Sequence, residues 1–148
     1  MAMNGADVVA EARSWLGTPY VHQASARGAG ADCLGLLRGI WRSLIGPEPL
    51  KVPAYTPDWS EPSGHEELMA ACDRCLVRKP LEAAAEGDVL LFRMRPGAVA
   101  KHLGILVRPG PNASFIHAYG GHGTVESPLS EPWAERIAAR YAFPERTD

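Results

Sequence analysis

The chain has 148 residues, with 15 Lys and Arg against 17 Asp and Glu for a formal net charge of −2. That length fits a single domain over 1–148 with a substantial core, and a near-neutral charge without any Lys/Arg run argues against a nucleic-acid partner. The stretch from Met1 to Arg13 lacks a basic start followed by an apolar block, and Val89-Leu90-Leu91-Phe92 is far too short to span a bilayer, so neither a signal peptide nor membrane insertion is expected. Three cysteines cannot all pair within one chain, so reduced thiols and synthesis in a cytoplasm are expected.

A first helix is expected over 4–16. Asn4 caps it, Val8 or Val9, Ala12, Trp15 and Leu16 form its apolar face, and Gly17 ends it before the extended turn at Thr18-Pro19. A polar, glycine-punctuated loop from Tyr20 to Gly28 follows and is positioned to form one lip of a cleft. Leu36, Leu37, Ile40, Trp41, Leu44 and Ile45 then recur at helical spacing behind Asp32, a good N-cap, until Gly46-Pro47 stops the run. A proline-rich stretch (Pro47, Pro49, Pro53, Pro57, Pro62, Pro80) is too long for an ordinary connection. It is expected to hold one helix, opened by a capping box at Ser63-Gly64-His65-Glu66, with Leu68, Met69, Cys72, Cys75 and Leu76 on one face. From Glu86 the pattern changes to strands around 89–92, 101–107, 114–119, 124–127 and 137–143, with one helical turn at 131–136. Helices early and an antiparallel meander late make an α+β domain.

Cys33 falls in the first turn of the Asp32-capped helix, where free N–H groups and the positive end of the helix dipole favour a thiolate and can receive an oxyanion. A small buried cysteine at a helix start is the plainer alternative. Amide hydrolysis by a thiol also needs a general base and a group that fixes its tautomer. His102 and His117 lie on consecutive predicted strands, so a hairpin brings them side by side. Each taken alone reads more readily as a partly exposed strand residue. Tyr20 carries a phenol able to donate to an oxyanion, though a turn tyrosine also serves as packing with a wet tip. Asp32 suits a helix cap, and a carboxylate beside the thiol also suits a substrate amino group. His22 and His122 are loop histidines able to line the cleft. Cys72-Asp73-Arg74-Cys75 has zinc or redox spacing, but its place near a helix end and the lack of two further ligands favour buried apolar residues, so neither a metal nor another cofactor is expected.

The segments Trp15-Leu16-Gly17-Thr18-Pro19-Tyr20, Asp32-Cys33-Leu34-Gly35-Leu36, Gly87-Asp88-Val89-Leu90-Leu91-Phe92, His102-Leu103-Gly104-Ile105 and Phe115-Ile116-His117-Ala118 resemble, in order, the blocks of the NlpC/P60 cysteine peptidases. The resemblance implies a papain-like α+β fold with N-terminal helices packed on an antiparallel sheet. It also implies hydrolysis of peptidoglycan stem peptides, often at the bond between D-glutamate and a diamino acid. Carried over by motif, Cys33 is the nucleophile, His102 the base and later acid, His117 the residue that orients His102, and Tyr20 the neighbour that shares the oxyanion with the thiol's own N–H. Two departures stand out: Leu34 replaces the serine most relatives have after the cysteine, and the stretch from Pro47 to Ala85 is longer than in compact members.

The run from Asp32 to Trp41, the Tyr20-Val21-His22-Gln23 loop and Ala118-Tyr119-Gly120-Gly121-His122 are most similar to a subgroup encoded in phage-tail and gene transfer agent clusters. That resemblance implies tail or baseplate partners and action in the cell wall or periplasm from a tail-like particle during DNA entry. An amidase or acyltransferase on the same fold, and a non-catalytic tail-tip component, are the competing expectations.

Overall fold

The computed structural model describes residues 3–52, 55–56 and 64–144. Helix α1 (Gly5–Arg13) starts at Asn4, whose side chain accepts from the Asp7 N–H while Asp7 returns a bond to the Asn4 N–H. The helix ends at Arg13 and not at Leu16: residues 14–17 form tighter turns, and this swings Trp15 into the core while leaving Leu16 40 % exposed. A two-stranded ribbon, β1 (Ser25–Ala26) with β2 (Gly30–Ala31), occupies the polar loop and leads into α2 (Cys33–Leu44). Asp32 caps α2 as the sequence requires, accepting from the Gly35 N–H at 2.7 Å.

The proline-rich stretch supplies α3 (Glu67–Cys75) and then a strand, β3 (Val77–Lys79). The capping box at Ser63–Glu66 is replaced by a start at Glu66 without a side-chain cap, and Ser63 itself lies outside the described residues, as do Pro53, Pro57 and Pro62. Glu66 serves elsewhere: its carboxylate accepts from the Ala100 N–H at 2.7 Å and from Arg93 at 2.8 Å. The helix start is thereby tied to the turn between the next two strands.

Those strands are β4 (Val89–Arg93) and β5 (Ala100–Arg108), followed by β6 (Ser114–Tyr119), β7 (Gly123–Pro128), the short helix α4 (Glu131–Glu135) and β8 (Ile137–Ala142). The sheet is antiparallel, in the order β3-β8-β4-β5-β6-β7. The last strand returns past the meander to pair with β4, so β4 is central and its unbroken apolar run is buried on both faces. Val89, Leu91, Leu103, Ile105 and Ile116 face the helices, where Val8, Ala12, Leu36 and Ile40 complete the main core. Each such side chain contributes about 1.5–3 kcal/mol by leaving water. Leu90, Phe92, Leu106 and Phe115 form a second core on the other face, with Trp133 of α4 packed over it.

Two glycines allow the close approaches that build the site. A Cβ on Gly39 would lie 2.0 Å from Trp15 Cζ2, so only glycine lets α2 rest on that ring. A Cβ on Gly35 would lie 1.8 Å from the Ala24 carbonyl oxygen. The loop from Tyr20 therefore presses its backbone against the first turn of α2, next to Cys33.

Candidate active site

Backbone direction along β5 determines where the thiol goes. The Leu106 N–H and C=O are bonded to Asp88 and Gly87 on the β4 side, so alternation turns the backbone groups of Leu103 and Lys101 toward β6. The β5–β6 register runs from Arg108↔Ser114 to Ile105↔Ile116, and the Lys101 end of β5 lies beyond it. Cys33 fills that fork. Its Sγ lies 3.9 Å from the Lys101 carbonyl oxygen, and the Leu103 N–H donates to the sulfur, as do the N–H groups of Cys33 and Leu34.

His102 and His117 reach the fork from the face that carries Phe92 and Phe115. His102 Nε2 and His117 Nδ1 are 2.7 Å apart, both rings are buried, and His117 Nε2 lies 2.9 Å from Ser127 Oγ. Among the described residues, His102 Nδ1 has no hydrogen bond, and none joins His102 directly to Cys33. The structure thus unites the two imidazoles and sets the sulfur against the backbone on either side of His102.

The electrostatics correct one expectation. The helix start favours a thiolate, but the surroundings of the sulfur work against it. Burial, followed by the Asp32 carboxylate, pushes Cys33 up to about 12 against the pull of the three N–H donors. Burial, followed by His117, pushes His102 down to about 3. Both shifts favour the uncharged forms, a thiol and a neutral imidazole. Alkylation of Cys33 by iodoacetamide, measured in a Cys72→Ser/Cys75→Ser background that is expected to keep its activity, should still be accelerating above pH 9. A plateau near neutrality would mean a thiolate that these surroundings do not favour.

Tyr20 lies at the lip of the fork, held by a backbone bridge to Ala31 and 36 % exposed. Burial, then Cys33 and Asp32, raise its pKa, and its hydroxyl has no hydrogen-bond partner among the described residues. It is available to a substrate oxygen, while the N–H groups of Cys33 and Leu34 point at the sulfur and the capping carboxylate takes the Gly35 N–H. Asp32 is 2 % exposed and engaged throughout: besides Gly35 it accepts from the Gln23 N–H at 2.7 Å and from the Tyr55 hydroxyl. That makes it a cap and a tie. His22 belongs to the same tie, with Nε2 2.8 Å from the Tyr55 carbonyl and the ring edge-on to Tyr55. His122 is exposed and stacks on Tyr119, which in turn stacks on His117.

Cys72 is buried and Cys75 half-buried, both as free thiols, and among the described residues no cluster of three His, Cys, Asp or Glu is placed to hold a metal ion. Leu34, with Leu37, Trp41, Leu68 and Cys72, lines an apolar cavity of about 520 Å³ between α2, residues 48–52 and α3. The leucine that follows the thiol thus turns away from it, toward the proline-rich stretch.

The same arrangement of helices and strands occurs in solved structures. The NlpC/p60 domain of the peptidoglycan hydrolase SagA matches 95 % of this chain and 100 % of its own with a TM-score of 0.67 at 23 % identity. The chain has the NlpC/P60 fold. An NlpC/P60 family protein from Bacillus cereus gives a TM-score of 0.65 at 19 % identity over 97 % of this chain and 41 % of its own. A lipoprotein-like NLP/P60 protein from Staphylococcus aureus gives 0.59 at 19 % identity over 97 % and 42 %. The chain therefore spans the whole of the first and about two fifths of the other two. No protein-family profile and no curated protein matches this sequence.

Two residues of this NlpC/P60 fold escaped the sequence reading. Trp133 lies 5.7 Å from the His102 ring and 5.2 Å from His117, closing the second core over both. Ser127 ends the hydrogen-bonded row of imidazoles. Period-two alternation through Thr124–Ser127 marks a strand, but only its register against β6 reveals which serine meets which histidine.

Proposed function

We propose that the protein is a cysteine peptidase that hydrolyses the stem peptides of bacterial peptidoglycan. The observation that carries this reading is the buried 2.7 Å contact between His102 and His117, set across a strand fork whose open side is filled by the Cys33 thiol. In the reaction, Sγ attacks the scissile carbonyl carbon as its proton passes to His102 Nδ1. The oxyanion is received by the N–H groups of Cys33 and Leu34 and by the Tyr20 hydroxyl. His102 returns the proton to the departing amine, leaving an acyl-thioester. Water, deprotonated by His102, then releases the acid and restores the thiol. The NlpC/P60 fold and the peptidoglycan hydrolase SagA among its neighbours support this substrate class.

The test is digestion of purified sacculi and muropeptides by the wild type and by Cys33→Ala, with products weighed by mass spectrometry. Two new free ends from the wild type and none from the variant are expected. Equal release from both would overturn the proposal, and a new covalent adduct in place of two ends would assign the thioester to acyl transfer.

The finer reading is cleavage between D-glutamate and the diamino acid by a chain carried on a phage-tail-like or gene transfer agent particle, with tail or baseplate partners. It is supported by the resemblance in Asp32–Trp41, Tyr20–Gln23 and Ala118–His122. The masses of the fragments identify the bond, and detection of the chain in purified particles checks its carrier.

A further inference from the structure

Ser127 lies on β7, where the register pairs Phe115 with Ser127 and His117 with Val125. It therefore shares a face with His117, one pair along. His117 is 1 % exposed and ringed by Phe115, Tyr119 and Trp133 at centroid distances of 4.2, 5.3 and 5.2 Å. Within that apolar collar it has two hydrogen-bond partners among the described residues, His102 at Nδ1 and Ser127 at Nε2.

A row of two imidazoles and a hydroxyl has two self-consistent proton orders. In one, Ser127 donates to His117 Nε2, His117 Nδ1–H donates to His102 Nε2, and His102 must carry its proton on Nδ1, which is then useless as a base. In the other, His102 Nε2–H donates to His117 Nδ1 and His117 Nε2–H donates to Ser127 Oγ. The second order leaves the lone pair of His102 Nδ1 available, as the base of the proposed reaction requires. In the second order an apolar residue at 127 would leave the buried His117 Nε2–H unpaired.

We infer that Ser127 is a positioning residue: by accepting from His117 Nε2–H it holds both imidazoles in the Nε2-protonated form and so keeps His102 Nδ1 as the base. This rests on the peptidase reading for its consequence, but the tautomers themselves are observable without any substrate. When the thiol proton reaches Nδ1, His102 becomes an imidazolium that donates through Nε2 to His117, with Ser127 still accepting at the end, so no further proton has to move.

The experiment combines histidine ¹⁵N spectra with kinetics. Long-range ¹H–¹⁵N correlations of wild type at neutral pH should show His102 and His117 both protonated at Nε2, and a proton on His117 Nδ1 would overturn the assignment. With muropeptides, Ser127→Ala should lower kcat about tenfold with KM within about twofold, and Ser127→Thr should restore most of it, as for other groups that orient an imidazole from behind. Full kcat in Ser127→Ala beside an inactive Cys33→Ala would remove Ser127 from the relay and leave the peptidase standing. A wild type inactive on every muropeptide would instead count against the peptidase, and the spectra would still decide the tautomers.

Discussion

Replacing His102 with alanine is expected to lower kcat on muropeptides by about 10³-fold or more, within the range for loss of a general acid–base. The size of the effect follows from the resting state of the site. Burial and Asp32 hold the thiol well above its ordinary value, so a base is needed to generate the nucleophile. His102 also returns the proton to the leaving amine, so its loss strikes both halves of the reaction. Removing Cys33 as well should cost nothing beyond removing Cys33 alone, because the two act as a unit. A second measurement separates this site from one built on a preformed ion pair. In an ion pair, loss of the imidazolium raises the thiol pKa and slows alkylation. Here burial and Asp32 act on the thiol and no hydrogen bond joins it to His102, so His102→Ala should leave the pH dependence of Cys33 alkylation nearly unchanged. A kcat loss below tenfold would remove His102 from the chemistry.

Asp32→Ala is expected to destabilise the fold by about 3–5 kcal/mol. The carboxylate is the N-cap of α2, a contribution of about 1 kcal/mol, and it also satisfies the Gln23 N–H and the Tyr55 hydroxyl. Each of these part-buried donors left without a partner adds about 1–2 kcal/mol. For a domain of this size the loss corresponds to a Tm lower by about 10 °C, readable by thermal unfolding. Asp32→Asn keeps one oxygen acceptor for the cap and should lose less. Both variants remove the negative charge that helps hold Cys33 up, so the alkylation profile should move to lower pH in each. An unchanged Tm in Asp32→Ala would mean that the ties to Gln23 and Tyr55 are replaceable, and an unmoved alkylation profile would mean that burial alone sets the thiol.

The elements around the thiol were legible because their causes are local. A carboxylate followed by apolar residues at helical spacing forms a capped helix wherever it stands, so Asp32 and Cys33 take their places as the first and second residues of that start. Alternation and turn residues likewise put His102 and His117 on neighbouring strands, and a hairpin between adjacent strands requires no information from elsewhere. The bonded pair of imidazoles follows from that.

Other features depended on contacts between distant segments. Periodicity placed Leu16 on the helix face, yet the tighter turns after Arg13 put Trp15 in the core and left Leu16 in water. The proline-rich stretch read as an insertion, but it ends in β3, which pairs with β8 at the far end of the chain. A helix N-terminus argued for a low thiol pKa, whereas packing buried the sulfur beside Asp32 in the fork between β5 and β6. Burial is a property of everything that surrounds a group, and no run of neighbouring residues reports it.

Local chemistry therefore specified a cysteine on a capped helix and two histidines on a hairpin, since dihedral preference, capping and alternation act over a few residues. Packing among distant segments specified the rest: the fork that receives Sγ, the Trp133 cover, the Ser127 end of the imidazole row and the burial that raises the thiol pKa. These arise from strand register and exclusion of water, which come into being only when segments far apart in the chain close on one another.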